Sequence, residues 1–166
     1  MRFLLALCAV TGGTLCGSAL SGALRRRVMT LESILQGIRV LRLHMIAMFE
    51  PVSQALRSSG CALMEELAEG MTPGTSAAQA WANLRDRLRR RGGIMDALAA
   101  EDLSALDHLF EALGETGRNQ QDVLLSAAQE AMSRHLEAAR KRAEETDRLY
   151  ISLGALTGLM VALVVL

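Results

Sequence analysis

Three histidines are the residues of this chain best suited to metal binding or to acid–base chemistry at neutral pH. His44, His108 and His135 lie far apart, and none belongs to an HxxxH or HExxH pattern that would place two ligands on one helix face. The sequence also contains no P-loop, no GxGxxG stretch and no GxSxG nucleophile turn. We therefore predict no metal site, no cofactor and no enzymatic activity.

Adjacent carboxylates occur at Glu65-Glu66 and at Glu144-Glu145. Two acids can share a proton in catalysis, but neighbouring positions on a helix point about 100° apart, so these side chains do not meet. Catalysis also requires a pocket, and a small helical domain offers little volume for one. We assign both pairs to the solvated surface.

A run of arginines is the most concentrated charge in the chain: Arg85, Arg87, Arg89, Arg90 and Arg91. Arginines in the last turns of a helix stabilise the negative end of its dipole, which is the simplest interpretation. Three of them, Arg87, Arg90 and Arg91, are also candidates for contact with anionic lipid headgroups or an acidic protein partner. We predict no binding to nucleic acid, because no aromatic residues alternate with the arginines for base stacking.

The charged residues are confined to the middle of the chain. Of its 166 residues, 18 are Lys or Arg and 18 are Asp or Glu, and all except Arg2 lie between Arg25 and Arg148. The uncharged ends are each long enough, as helices, to cross a hydrocarbon core of about 30 Å. We predict a transmembrane helix at residues 1–24, a soluble domain at 25–148 and a second transmembrane helix at 149–166.

Basic residues flank both predicted spans on the side that faces the domain. They are Arg25, Arg26 and Arg27 after the first span, and Arg140, Lys141, Arg142 and Arg148 before the second. The positive-inside rule then predicts an integral protein of the cell membrane, held in the lipid bilayer with its domain in the cytoplasm. A cleaved signal peptide is the alternative, because Gly17-Ser18-Ala19 has the small residues of a cleavage site, although three arginines directly after it oppose export.

Apolar residues in the domain recur at steps of three and four, which predicts an all-α bundle of about six helices and no sheet. The first helix is expected over Val28–Phe49, with an inward stripe that continues through Met45 and Met48. Short helices follow at about 52–58 and 61–69. The inward residues of the first helix are Leu31, Ile34, Leu35, Ile38, Leu41, Met45 and Met48.

Ser76 and Gln79 have the spacing of a capping box, which predicts the start of the fourth helix. Its inward residues are Ala80, Trp81, Leu84 and Leu88. The fifth helix is predicted to bury Leu103, Leu106, Leu109, Phe110 and Leu113 and to stop at Gly114.

A last, long helix runs from Arg118 into the second predicted span. One seam of residues follows it at helical spacing, and packing against the first helix is the simplest interpretation. Self-association through the seam, giving a homo-oligomer, is the alternative. The seam consists of Leu125, Ala128, Met132, Leu136, Ala139, Ala143, Thr146 and Tyr150.

The stretch between the fifth and last helices reads Gly114-Glu115-Thr116-Gly117-Arg118. Two glycines at a helix end permit a sharp turn, and Glu115 or Thr116 can cap the amides of the next helix. The pattern predicts a tight corner. The candidate partner-binding residues at this corner are Gly114, Glu115, Thr116, Gly117, Arg118 and Gln121.

This corner, followed by an amphipathic helix, resembles that of the cytoplasmic helical domains of type II secretion F proteins, the inner-membrane platform proteins of secretion systems and type IV pili. Over the whole chain, the order of landmarks is similar to the stage III sporulation protein AB family. The sporulation proteins usually carry a Ser-Asp pair where this chain has Thr116-Gly117, which is nearer to the secretion pattern. The landmarks are Pro51 with Ala55-Leu56, Gly74-Thr75-Ser76 before Ala80-Trp81, Leu113-Gly114 with Gln121, and residues 149–154.

The resemblance implies an F-domain-like bundle in a membrane scaffold of the sporulation channel between mother cell and forespore. It also implies partners: a cytoplasmic secretion-type ATPase of the same complex, and other membrane components of the channel. The location it implies is the mother-cell membrane around the forespore. The alternatives are an inner-membrane platform protein of a type II secretion or type IV pilus-like system, and a membrane-tethered sensor or enzyme with its site at the Gly114 corner.

Overall fold

The computed structural model describes the backbone of residues 2–91, 93–115 and 117–165, and the side chains of residues 22–90, 93–115 and 117–149. Within these ranges the chain is helical and has no strand, which confirms the predicted all-α class. The elements are α1 (Arg2–Arg42), a π-helical turn (Leu43–Ala47), α2 (Val52–Arg57), α3 (Ala62–Gly70), α4 (Ala77–Arg91), a 3₁₀ turn (Ile94–Ala97), α5 (Ala100–Ala112) and α6 (Arg118–Val165).

The chain divides into two compact units, Met29–Glu137 and Met1–Val28 with Ala138–Leu166. In the latter, Arg25 Nη2 lies 2.8 Å from Asp147 Oδ2. In the part of the chain that the structure describes, no helix combines the length and the apolar character needed to cross a membrane. The predicted spans at 1–24 and 149–166 fall almost wholly on side chains outside the described residues.

The core of the 29–137 unit begins with the apolar stripe of α1, of which Leu31, Ile34, Leu35, Ile38 and Leu41 are buried as predicted. The extension of this stripe to Met48 was wrong, since that side chain is 54% exposed, and Met45 is only half-buried. The cause is the π-helical turn, in which the Met48 N–H donates to the Leu43 carbonyl five residues back. A wider turn breaks the 3.6-residue period, so the residues after Arg42 leave the stripe.

Helix α1 approaches the start of α3 very closely at Gly37. A Cβ at this position would lie 2.7 Å from Cys61 Cβ and 3.0 Å from Met64 Sδ, shorter than side-chain contacts normally are. The hydrogen of glycine is therefore what allows the two elements to meet. Leu63, Met64, Leu67 and Ala68 of α3 are buried.

The capping box at the start of α4 is confirmed. The Gln79 N–H donates to Ser76 Oγ at 3.2 Å, and the Ser76 N–H donates to Gln79 Oε1 at 3.3 Å. These reciprocal bonds satisfy two amides that a helix start leaves open. The four residues predicted to point inward from this helix, Ala80, Trp81, Leu84 and Leu88, are buried.

Helices α4 and α5 pack antiparallel through an aromatic contact and a shared carboxylate. The ring centroids of Trp81 and Phe110 are 4.7 Å apart. Asp107 accepts from Trp81 Nε1 at 2.7 Å and pairs with Arg85 Nη1 at 2.6 Å. Of the residues predicted to be buried on α5, Leu103 is only half-buried, and Leu106, Leu109, Phe110 and Leu113 are buried.

The seam of α6 is confirmed over its first half. In the 29–137 unit, Leu125, Ala128, Met132 and Leu136 are buried. In the other unit, Ala139 is buried, whereas Ala143 and Thr146 are half-buried. Tyr150, the last residue of the predicted seam, has its side chain outside the described residues.

Candidate protein-docking site at the corner before α6

Gly114 makes the turn that follows α5. Its φ is +86°, in the left-handed region that residues with a Cβ avoid. A Cβ here would also lie 3.3 Å from Val52 Cγ2 at the start of α2, a tight contact. The neighbouring Leu113 is 1% exposed, which anchors the turn in the core. The corner therefore needs glycine at this position for two independent reasons.

The second glycine of the corner does not share this role. Gly117 has a backbone outside the left-handed region and open space where a Cβ would be, so only Gly114 of the two glycines adopts the left-handed conformation at this corner. Its carbonyl accepts from the Gln121 N–H at 2.9 Å, the first helical bond of α6. Glu115 is exposed, and Thr116 lies outside the described residues.

Arg118, the first residue of α6, reaches across to the end of the α1 region. Its guanidinium carbon lies 3.6 Å from the centroid of the Phe49 ring, a cation–π contact. One of its terminal nitrogens donates to the carbonyl oxygen of Ile46. These contacts hold the corner against the segment between the π-helical turn and α2.

Phe49 has an unusual backbone for its type. Its φ is +60°, a conformation uncommon in residues other than glycine, asparagine and aspartate, and its side chain is 71% exposed. Beside it, His44 Nδ1 lies 2.9 Å from Glu50 Oε2. This pairing joins the two sides of the segment that carries Phe49.

Four large apolar side chains stay exposed where the α1 region ends and α6 begins. We call them the apolar tip: Leu43, Met48, Phe49 and Val123, which are 50%, 54%, 71% and 69% exposed. Sequence reasoning missed these residues as a surface, because it placed the first three in one regular helix. The break before Pro51 was the available signal that this helix had to end nearby.

An ion pair links α1 to α6 beside the apolar tip, where Arg42 Nε lies 2.6 Å from Asp122 Oδ1. The hydrogen bond from Arg42 is the main cause that lowers the pKa of the Asp122 carboxyl, and the charges of Arg42 and Arg118 act in the same direction. The same hydrogen bond raises the pKa of Arg42. Gln121, one residue before Asp122, is only 4% exposed and thus contributes to packing at the corner.

The predicted basic group lies elsewhere. Arg87 and Arg90 line a shallow depression of α4 together with Asn83 and Asp86. Trp81 is level with Phe110 across the antiparallel pair, so Arg90 is level with the start of α5. At 1.5 Å per residue this point is about 20 Å from Gly114. The candidate residues thus fall into two separate groups, and the side chain of Arg91 lies outside the described residues.

A buried carboxylate joins α5 to α6. Asp102 is 0% exposed; its Oδ2 accepts from the Ala99 N–H at 2.8 Å, and its Oδ1 lies 2.9 Å from His135 Nδ1. His108 is exposed. Over the described residues, no group of three or more His, Cys, Asp or Glu side chains is placed to hold a metal ion.

Comparison with known protein families identifies the family to which the chain belongs. The sequence model of the family described as stage III sporulation protein AB matches residues 2–166. The chain belongs to this family. The predicted resemblance is thereby confirmed over essentially the whole chain. No curated protein and no solved structure matches it, so the likeness to type II secretion F domains stays a prediction.

In this stage III sporulation protein AB family member, the corner and the apolar tip form one continuous region of the 29–137 unit. It exposes four large apolar side chains and Arg118, and its backbone is held by the turn at Gly114 and by the contacts of Arg118. Such a surface suits protein–protein contact, where aromatic residues and arginine are enriched. Membership of the family gives the protein a role in stage III of sporulation.

Proposed function

We propose that the protein is a non-enzymatic membrane scaffold of the sporulation channel between mother cell and forespore, and that its helical unit docks a cytoplasmic ATPase. The family match over residues 2–166 supports the sporulation role. The observation that carries the docking role is the exposure of large apolar side chains beside the corner. A protein whose helical unit served only as a spacer between anchors would have no reason to keep them in water.

The proposed location is the mother-cell membrane around the forespore, with both chain ends in the bilayer and the charged middle in the cytoplasm. Two uncharged stretches, at 3–24 and 149–166, and the arginines that follow or precede them support this arrangement. Protease treatment of intact, non-sporulating cells that produce the protein in their surface membrane tests the topology. Protection of the region between Arg25 and Arg148 is expected, and its cleavage from outside would contradict the topology.

The proposed mechanism is coupling of the ATPase to membrane components of the channel. Helix α6 supports it, since the helix begins at the corner with Arg118 and extends to Val165, through the second predicted span. The protein supplies a docking surface at one end of a helix and an anchor at the other. It carries out no chemical step itself in this scheme.

Two measurements test the proposed function. Deletion of the gene is expected to arrest development after engulfment, and normal spore yield would argue decisively against the sporulation role. The full-length protein, extracted in detergent, is expected to retain the cytoplasmic secretion-type ATPase of the same complex. An unrelated membrane protein with two spans serves as the control. Absence of binding in both detergent and reconstituted bilayers would rule out the docking role.

A further inference from the structure

We propose that the apolar tip and Arg118 together form the surface that docks the ATPase, and that they receive an element in which an apolar side chain lies beside a carboxylate. This inference rests on the proposed function and assigns its docking surface. It follows from three properties of the region: exposed apolar area, an unusual backbone, and a cation that is open to an incoming acid.

The apolar tip concentrates the exposed hydrophobic side chains of the described residues. Four of the six large apolar side chains that are exposed there belong to it, and the other two are Met29 and Leu149. A single exposed apolar residue is ordinary, but a group of them on a soluble unit marks an interaction site. The concentration of these exposed apolar side chains in the apolar tip, rather than their total exposed area, therefore indicates a partner.

The backbone of this segment is shaped in two ways that folding alone does not require. A π-helical turn at Leu43–Ala47 precedes Phe49, whose φ is +60°. Both features recur at functional sites, where the surrounding structure maintains them. Asparagine or glycine would adopt the left-handed backbone more easily than phenylalanine. The ring contacts Arg118 within the chain, yet the Phe49 side chain stays 71% exposed, so ring area remains open to a partner.

Arg118 supplies the charge that identifies the partner. At this end of the unit, Arg42 forms an ion pair with Asp122, and His44 contacts Glu50. Within the described residues, Arg118 forms no ion pair of its own and is held by the Phe49 ring and the Ile46 carbonyl. A guanidinium that is stacked on a ring can still donate hydrogen bonds to a carboxylate of a partner. Arginine and aromatic residues are also typical of interface hot spots.

Distance along the helices argues against lipid as the occupant. The chain leaves the 29–137 unit at Met29 and at Glu137. Leu43 and Val123 lie 14 residues from these two points, about 21 Å along each helix. Within the 29–137 unit, the apolar tip therefore lies at the end away from the residues that lead to the two predicted spans.

Substitutions in the full-length protein test the assignment. Phe49→Asn removes the ring and suits the left-handed backbone, so the fold is expected to persist. Arg118→Glu reverses the charge that would meet the carboxylate. Met29→Asn is the matched control, because it removes another exposed apolar side chain of α1 outside the apolar tip. With the protein in lipid nanodiscs and the ATPase titrated in, we expect the Kd to rise at least about tenfold for the two tip variants and less than about twofold for the control.

The outcomes separate the two proposals. If the wild-type protein binds the ATPase and both tip variants bind within twofold of it, the surface assignment is overturned and the proposed function stands. If the wild-type protein does not bind, the docking function itself fails. An equal loss of affinity in Met29→Asn would overturn the assignment and show a general effect of removing exposed apolar side chains. Loss of self-association in the tip variants, with ATPase binding unchanged, would overturn it in favour of an interface between copies of this chain.

Discussion

Asp102 of α5 and His135 of α6 are 33 positions apart in the sequence, yet Asp102 Oδ1 lies 2.9 Å from His135 Nδ1. The carboxylate is wholly buried, and its other oxygen accepts the Ala99 N–H at the start of α5. One side chain therefore closes the first turn of α5 and contacts α6. Burial makes both partners necessary, because a desolvated carboxylate that loses a polar contact is not compensated by water.

Replacement of His135 by alanine is expected to lower the free energy of unfolding by about 1–3 kcal/mol, the cost of leaving a buried polar group with one contact fewer. His108→Ala is the control, since His108 is exposed and lies on the same α5 helix as Asp102. Its effect should stay within about 0.5 kcal/mol. Chemical denaturation of the detergent-solubilised protein measures both, and equal effects would show that the Asp102 contact does not contribute to stability.

Gly37→Ala is expected to destabilise the protein, although alanine is the better helix former. The new methyl group would lie 2.7 Å from Cys61 Cβ, so α1 and the start of α3 would have to separate. We expect a loss of about 1–3 kcal/mol, as for other overpacked sites. Thermal unfolding checks this against Gln36→Ala, a change at the adjacent exposed position that should be neutral or slightly stabilising.

The two glycines of the corner are expected to respond differently to substitution. Gly114→Ala would force a Cβ into a backbone with φ +86° and towards Val52, at a cost of about 1–3 kcal/mol. Gly117→Ala meets open space and should cost less than about 1 kcal/mol. Unfolding midpoints of the two variants give the comparison. A larger effect at Gly117 would contradict the turn described here.

Acid should weaken the contact between α1 and α6 at the apolar tip. Because the pKa of Asp122 is lower in the folded state, its contribution to stability is complete above its ordinary pKa near 4 and is lost as the pH falls through the lower folded value. Asp122→Asn should therefore reduce the slope of stability against pH below about pH 4. Since both side chains are more than a third exposed, added salt should reduce the difference between variant and wild type. Denaturation at several pH values, at low and high salt, measures this.

Local rules predicted the parts of the fold that depend on near neighbours. The capping box of Ser76 and Gln79 involves residues three apart, and the turn at Gly114 involves a backbone that glycine alone adopts readily. The helical class followed from apolar periodicity in the same way. Each of these signals is contained in one short stretch of sequence, which is why the structure agrees with it.

The apolar tip could not be predicted by the same rules. Met48 continues the α1 spacing perfectly, and only the π-helical turn, which depends on packing around it, sends its side chain to the surface. The Arg118–Phe49 contact and the Asp102–His135 contact each join residues that are far apart in the sequence. With a single sequence, no local pattern indicates which distant side chains will meet, so the candidate site was predicted as a corner without its apolar half.

Trp81 is the only tryptophan among the 166 residues, and its position gives the protein an intrinsic optical reporter. The indole is 2% exposed, donates to Asp107 and lies against Phe110, so its emission depends on the packing of α4 on α5. Fluorescence of this one residue can follow unfolding of the 29–137 unit without a label, even where the other helical segments dominate the circular dichroism. If a substitution of Phe49 or Arg118 leaves the Trp81 emission unchanged, the packing of α4 on α5 is intact and the substitution has altered only the proposed docking surface.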